Sequence, residues 1–201
     1  MSRLQRVVLA TANDKKLAEL RRVLAASGAD IDVLGLADFE PFPAPEETER
    51  TFEGNALLKA NAAARNTGLP ALADDSGLEV DELAGMPGVR SARWAGPEGD
   101  DEANLQLLLR QLHGVPLRRR GARFVCALAL VGPDMAPIVF SGEMRGHIAE
   151  APAGSNGFGY DPIFVPDGHS VTTGEMEPSD KDGLSHRGRA LGKFVTWLKE
   201  Q

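Results

Sequence analysis

The run Ala73-Asp74-Asp75-Ser76-Gly77-Leu78 sets two adjacent carboxylates directly after a short apolar segment, Leu69-Pro70-Ala71-Leu72. Carboxylates at the mouth of a buried strand are costly unless a cation meets them. Mg²⁺ takes hard oxygen ligands and usually bridges to phosphate, so the run points to a metal-dependent site for a phosphorylated molecule. The competing reading is an acidic turn in which Asp and Ser bond their own backbone.

Four other segments carry suitable groups. Thr11-Ala12-Asn13-Asp14-Lys15-Lys16 joins a strand-like run to a helix. The unpaired N–H groups of such a helix start attract phosphate, and a lysine there opposes the helix dipole unless an anion sits nearby. Asn55 and Lys59 stand four apart and share a helical face, while Glu46 and Glu47 lie in the loop before them. Lys59 is a plain surface lysine unless that face turns toward Asp74 and Asp75. Gly157-Phe158-Gly159-Tyr160-Asp161-Pro162 places an aromatic between two glycines. Glycines admit close backbone approach, and Phe158 is suited to stack on a purine ring; a tight turn with Phe158 and Tyr160 as core anchors is the alternative. Ser185-His186-Arg187-Gly188-Arg189, with Lys181 just upstream, offers donors at a helix start that Ser185 can cap.

The elements that must position these groups are legible from the hydrophobic period. Arg6 to Ala10 and Ile31 to Leu36 read as strands. Between them Leu17, Leu20, Val23 and Leu24 mark one helical face, ended by Gly28. The Pro-rich stretch from Pro41 to Glu47 reads as a loop and Thr51 to Asn66 as a helix. Leu72 to Val80 reads as a strand interrupted by the Asp-Asp-Ser-Gly turn. Asp101 to Leu112 reads as a helix, and Arg123 to Val131 and Ile138 to Ile148 as a hairpin through Gly132-Pro133-Asp134. A Gly-rich segment precedes Pro162-Ile163-Phe164-Val165, and Ser185 to Lys199 closes the chain as a helix with Ala190, Leu191, Phe194, Val195 and Leu198 inward. Alternating helices and strands followed by a hairpin predict an α/β fold with a mixed sheet. No internal repeat or linker divides residues 1–201, which read as one domain.

Composition narrows the function classes. With 22 Lys and Arg against 29 Asp and Glu, the formal net charge is -7, which argues against a nucleic-acid partner but permits a small polyanion. The one cysteine, Cys126, lies in the apolar run Phe124–Leu128 and is expected to be a small core residue in a reducing, cytoplasmic setting. The four histidines show no zinc-ligand spacing. No segment approaches a signal peptide or a membrane span, so no membrane partner is expected.

Taken together, the segments are more specific than any one. Thr11-x-Asn13-x-x-Lys16, Glu46-Glu47-Thr48, Thr51-Phe52, Asn55-Ala56-x-x-Lys59-Ala60, Ala73 to Leu78, Pro87-Gly88-x-x-Ser91-Ala92-Arg93, Gly157 to Phe164 and Ser185-His186-Arg187-Gly188-x-Ala190-Leu191 occur in this order. The set closely resembles the inosine triphosphate pyrophosphatase family over essentially the whole chain. The resemblance implies an elongated mixed β-sheet flanked by helices, with two lobes and a nucleotide cleft between them, in a homodimer. It implies Mg²⁺-dependent hydrolysis of ITP, dITP and XTP to the monophosphate and pyrophosphate. By motif, Asp75 would be the proton acceptor and a metal ligand, and Glu46 the other metal carboxylate with Glu47 as fallback. Thr11, Ala12, Asn13, Asp14, Lys15, Lys16 and Ser76 would hold the triphosphate, and Lys59 would assist there. Phe158, Gly159, Tyr160, Asp161, Lys181, His186 and Arg187 would hold the nucleoside. Asp74 stays open between metal ligand and turn former. Two positions depart from the family pattern: Ala12 stands where relatives often carry Gly, and Gly54 where they usually carry Glu. The rival readings are a pyrophosphatase acting on dTTP, UTP or modified pyrimidine nucleotides, and a nucleotide sensor that does not hydrolyse its ligand.

Overall fold

Apolar runs at the spacing just described, α4 excepted, become strands and helices in the order β1 (Arg6–Leu9), α1 (Asp14–Ser27), β2 (Asp32–Gly35), α2 (Phe52–Thr67), β3 (Ala71–Val80), α3 (Asp101–Gln111), β4 (Gly121–Gly132), β5 (Met135–Ile148), β6 (Phe164–Pro166), α4 (Pro178–Leu184) and α5 (His186–Lys199). This is a computed structural model that describes residues 4–133 and 135–201, the side chains at 15, 178, 179 and 182 excepted. One six-stranded sheet runs in the order β2-β1-β3-β4-β5-β6. β1 lies parallel to both β2 and β3, whereas β5 and β6 are antiparallel, so the sheet is mixed. Among the described residues no helix is long and apolar enough to cross a membrane.

The chain forms two compact units, neither of them a contiguous stretch. The first takes the described part of Met1–Asp75 with Cys126–Ser141 and Arg189–Gln201; the second takes Ser76–Val125 and Gly142–Gly188. In the first, Val7, Leu9, Leu72, Cys126, Leu128 and Leu130 pack against Leu20 and Leu24 of α1. The same core takes Ala190, Leu191, Phe194, Val195 and Leu198 of α5, the inward set that the period predicts. In the second, Leu105, Leu108 and Leu112 pack against Leu78, Val80, Phe124, Ile148 and Phe164.

Helix ends follow local chemistry. Thr51 caps α2 by accepting the Gly54 N–H, and Gly68, in the left-handed region at φ 69°, closes it through its N–H to the Ala64 carbonyl. The structure departs from the sequence reading in three places. β3 runs unbroken from Ala71 to Val80, so Asp74-Asp75-Ser76-Gly77 forms no turn. Pairing of Val8 with Ala71 and Leu9 with Leu72 starts that strand, and partners described below meet the two carboxylates where they stand. β4 and β5 are longer than their apolar runs, because ladder pairing carries polar residues along. The turn between them includes Asp134, which lies outside the described residues. Finally, α4 (Pro178–Leu184) has no apolar period to announce it.

Arg120 is buried in the second unit and is satisfied by backbone alone. Its guanidinium donates to the carbonyls of Val115, Leu112 and Ala149 at 2.8–2.9 Å, fastening the end of α3 to the segment after β5. Exposed Arg119, by contrast, pairs with Glu82 at 2.6 Å in solvent. Arg120→Met should lower unfolding free energy by about 3 kcal/mol, since three buried carbonyls lose their donors. Arg119→Met should cost no more than about 0.5 kcal/mol. Urea unfolding of both variants checks this; equal midpoints would contradict it.

Candidate active site

Successive side chains of a strand point to opposite faces. Asp74 and Asp75, neighbours near the middle of β3, therefore look opposite ways, and each meets its own lysine. Asp74 shares the alternation of Leu72, which packs under α1, and its Oδ2 lies 2.6 Å from Lys16 Nζ in the first turn of α1. The backbone brings that turn into place: the Ala10 N–H donates to the Leu72 carbonyl, and the Asn13 carbonyl accepts from the N–H groups of Lys16 and Leu17. Thr11 Oγ1 accepts the Asn13 N–H at 3.2 Å, which tightens the turn. Asp74 thus supplies the anion that a lysine at a helix start calls for.

Asp75 faces α2, where Lys59 and Asn55 meet it from one helical face. Lys59 Nζ lies 2.8 Å from Asp75 Oδ1 and 3.2 Å from Glu47 Oε1, and Asn55 Nδ2 donates to Asp75 Oδ2 at 3.3 Å. Lys59 is therefore no plain surface lysine. Of the two loop glutamates, half-buried Glu47 reaches this cluster through Lys59, while Glu46 is exposed. Thr11 is half-buried, Ala12, Asn13 and Asp14 are exposed, and Ser76 follows Asp75 on β3, half-buried; the Lys15 side chain lies outside the described residues. Among the described residues no three Asp, Glu, His or Cys side chains group closely enough to enclose a metal by themselves. The hard carboxylate oxygens of Asp75 and Glu47, both on Lys59, still suit Mg²⁺, which is commonly held by one or two carboxylates plus substrate phosphate.

In the second unit Asp161 organises the glycine loop. It is buried, and it accepts from the Phe158 N–H at 2.9 Å, from Thr173 Oγ1 at 2.9 Å and from Lys181 Nζ. Asp101, at the start of α3, accepts the Gly159 N–H at 2.9 Å. Tyr160 is buried and donates its hydroxyl to the Ser91 carbonyl at 2.8 Å. Burial first, and then the charge of Asp101, raise its phenol pKa far above the ordinary value, so it stays a neutral donor. Tyr160 is the core anchor that the turn reading allowed, but Phe158 is not: it is 74% exposed, with Lys181 Nζ 5.7 Å from its ring centroid. The loop that carries this exposed aromatic is held by the Phe158 and Gly159 N–H groups on Asp161 and Asp101. Ser185 Oγ caps α5 by accepting the Gly188 N–H at 2.9 Å, and His186 stacks on Phe124 with centroids 5.0 Å apart. Nδ1 of His186 and Nη1 of Arg187 are buried nitrogens with no hydrogen-bond partner among the described residues, and both residues make other interactions.

Three residues to which the sequence reading assigns no role also take part. The i, i+4 spacing with Lys59 signals Asn55, whereas Asp101 and Thr173 give no sequence signal, since their contacts join segments far apart in the chain.

Electrostatics set the resting state of the Asp75 cluster. Burial raises the Asp75 carboxyl pKa; the charge and hydrogen bond of Lys59 oppose that shift without cancelling it. Burial pulls the Lys59 ammonium down, but the charge and hydrogen bond of Asp75, then those of Glu47, leave it raised. A carboxyl whose folded pKa exceeds its unfolded one favours the fold while protonated, and that contribution is lost as pH rises through the folded pKa. For the metal-free chain, the thermal midpoint of Asp75→Asn minus that of the wild type should therefore become more positive from about pH 4 to about pH 7. A difference that moves the other way would show that pairing with Lys59 outweighs burial.

Residues 7–197 match the model of the Ham1 family. A relative from Cutibacterium acnes named dITP/XTP pyrophosphatase is 55% identical over 194 residues, covering 96% of this chain and 95% of its own length. Two solved structures superpose closely. A HAM1 protein from Coxiella burnetii has a TM-score of 0.92 at 42% identity, covering 98% of this chain and 100% of its own. The Mycobacterium abscessus nucleoside-triphosphatase / dITP/XTP pyrophosphatase has a TM-score of 0.83 at 51% identity, covering 96% of this chain and 100% of its own. The chain belongs to the Ham1 family.

Proposed function

We propose that this chain hydrolyses dITP, XTP and ITP to the nucleoside monophosphate and pyrophosphate. The observation that carries the reading is Asp75, a buried strand carboxylate held between Lys59 and Asn55. Its relatives' shared name, dITP/XTP pyrophosphatase, supports the same reading. A water oxygen bonds to the α-phosphorus, the bond from that phosphorus to the bridging oxygen breaks, and pyrophosphate leaves. Asp75 stands as acceptor for the water's proton, and its raised pKa suits a base that must take one. Lys59 and Lys16 balance the charge that builds on the departing pyrophosphate, Lys16 from the first turn of α1 and Lys59 from the middle of α2. Thr11, Asn13, Ser76 and the N–H groups of the α1 start hold the phosphates. Mg²⁺, held by Asp75 with Glu46 or the neighbouring Glu47, would supply Lewis-acid neutralisation of the phosphate oxygens.

Base choice follows hydrogen-bond polarity. Hypoxanthine and xanthine carry a 6-keto acceptor where adenine carries a 6-amino donor. Lys181, His186 and Arg187 are donors, and a site built to pair a polar group can reject its mismatch by ~10⁴-fold. Phe158 stacks on the ring while Asp161 and Asp101 hold its loop. Guanine shares the 6-keto group, so its exclusion rests on a separate contact at the 2-position. A homodimer in the cytoplasm, acting on the nucleotide pool, completes the reading.

Pyrophosphate release from dITP, XTP, ITP, GTP, ATP and dTTP, with and without Mg²⁺, tests it. Hypoxanthine and xanthine nucleotides should turn over fastest and only with the cation. Asp75→Asn should lower kcat for dITP by about 10³-fold with the fold intact. Preference for dTTP would favour a pyrimidine enzyme, and tight dITP binding without product would favour a sensor.

A further inference from the structure

Asn55 is 1% exposed, and its side-chain hydrogen bonds among the described residues join two places. Its Oδ1 accepts the Glu49 N–H at 2.9 Å, its Nδ2 donates to the Glu49 carbonyl at 3.4 Å, and the same Nδ2 donates to Asp75 Oδ2 at 3.3 Å. One amide therefore grips both backbone groups of residue 49 together with an oxygen of Asp75. The other Asp75 oxygen bonds Lys59, whose ammonium also bonds Glu47. The glutamate loop is thus tied to β3 at two points. The Lys59 tie joins flexible side chains, whereas the Asn55 tie holds backbone and is the stiffer of the two.

Gly54 completes the arrangement from below. A Cβ there would lie 2.6 Å from Glu49 Cβ, 2.8 Å from Glu49 Cγ and 3.2 Å from Thr51 Oγ1. Residue 54 is helical, so glycine is not needed for backbone conformation, and Ala would be the better helix former. What glycine provides is the space in which Glu49 lies.

We propose that Asn55, with Gly54 beneath the loop, is a positioning residue that sets where the Glu46 and Glu47 carboxylates stand relative to Asp75, and thereby how tightly the enzyme takes its divalent cation. This rests on the role given to Asp75 above. Supporting groups of this kind are typically worth 10–100-fold in metal affinity or activity.

The experiment compares wild type, Asn55→Ala and Gly54→Ala by three readouts: hydrogen exchange of the Glu49 amide, the Mg²⁺ activation midpoint with dITP, and Mn²⁺ binding followed by EPR. Both variants should exchange faster at Glu49 and raise both cation midpoints by ~10-fold or more, with a much smaller change in KM at saturating Mg²⁺. Gly54→Ala touches neither Asp75 nor Lys59 and gains helix propensity, so it carries the test alone if Asn55→Ala does not fold. Faster exchange with unchanged cation midpoints would overturn the proposal. So would a midpoint raised by Asn55→Ala alone, since Asn55 would then act only through Asp75. A wild type that releases no pyrophosphate would sink the reading of the reaction instead, and the Mn²⁺ midpoints would still decide the role of Asn55.

Discussion

Two adjacent carboxylates inside a buried strand are the constraint to which the first unit is built. Neither can be left alone in a poorly solvated place, and strand geometry turns them apart, so within the chain each takes its own partner. The solution is one lysine per face, Lys16 from the start of α1 for Asp74 and Lys59 from α2 for Asp75. Each lysine must come from a helix that covers its own face of the sheet. The right helices are there because the β1–α1–β2 and α2–β3 connections set them beside a strand paired parallel to β1.

These ion pairs are poor investments for stability alone, since desolvation of both partners offsets much of their attraction. Their sense lies in the proposed reaction. A lysine is a natural partner of a phosphate and a carboxylate a natural partner of Mg²⁺, so a metal–triphosphate can meet both members of each pair. Glu47 shares Lys59 with Asp75, and two carboxylates on one ammonium suit an added cation. In the second unit the logic is different. Asp161, Asp101 and Ser91 use their hydrogen bonds to hold a loop rigid, leaving Phe158 as the exposed surface.

Much of this was legible in the chain. The inward sets of α1 and α5 follow from period alone, because burial on one face is what makes those helices stable. The Asp-Asp-Ser-Gly run read as a turn because local propensity favours turns for those residues. The structure keeps it extended because partners far away in sequence meet both carboxylates. For the same reason the choice between Glu46 and Glu47 beside Lys59, and the parts played by Asp101 and Thr173, had no local signal. Motif order identified the family from positions scattered along the chain, and no single segment had that power. α4 escaped notice because seven residues with three charges present no periodic apolar face.

The account turns on Asp75 as the anchor of a cation shared with the triphosphate. The most direct test is Mn²⁺ titration, read by EPR, of wild type and Asp75→Asn in the presence of a dITP analogue with a non-hydrolysable α,β bridge. Wild type should bind the ion tightly, and the variant should lose that binding while still folding. If Asp75→Asn takes up Mn²⁺ and analogue with the wild-type midpoint, the carboxylate is not the anchor and the account is wrong.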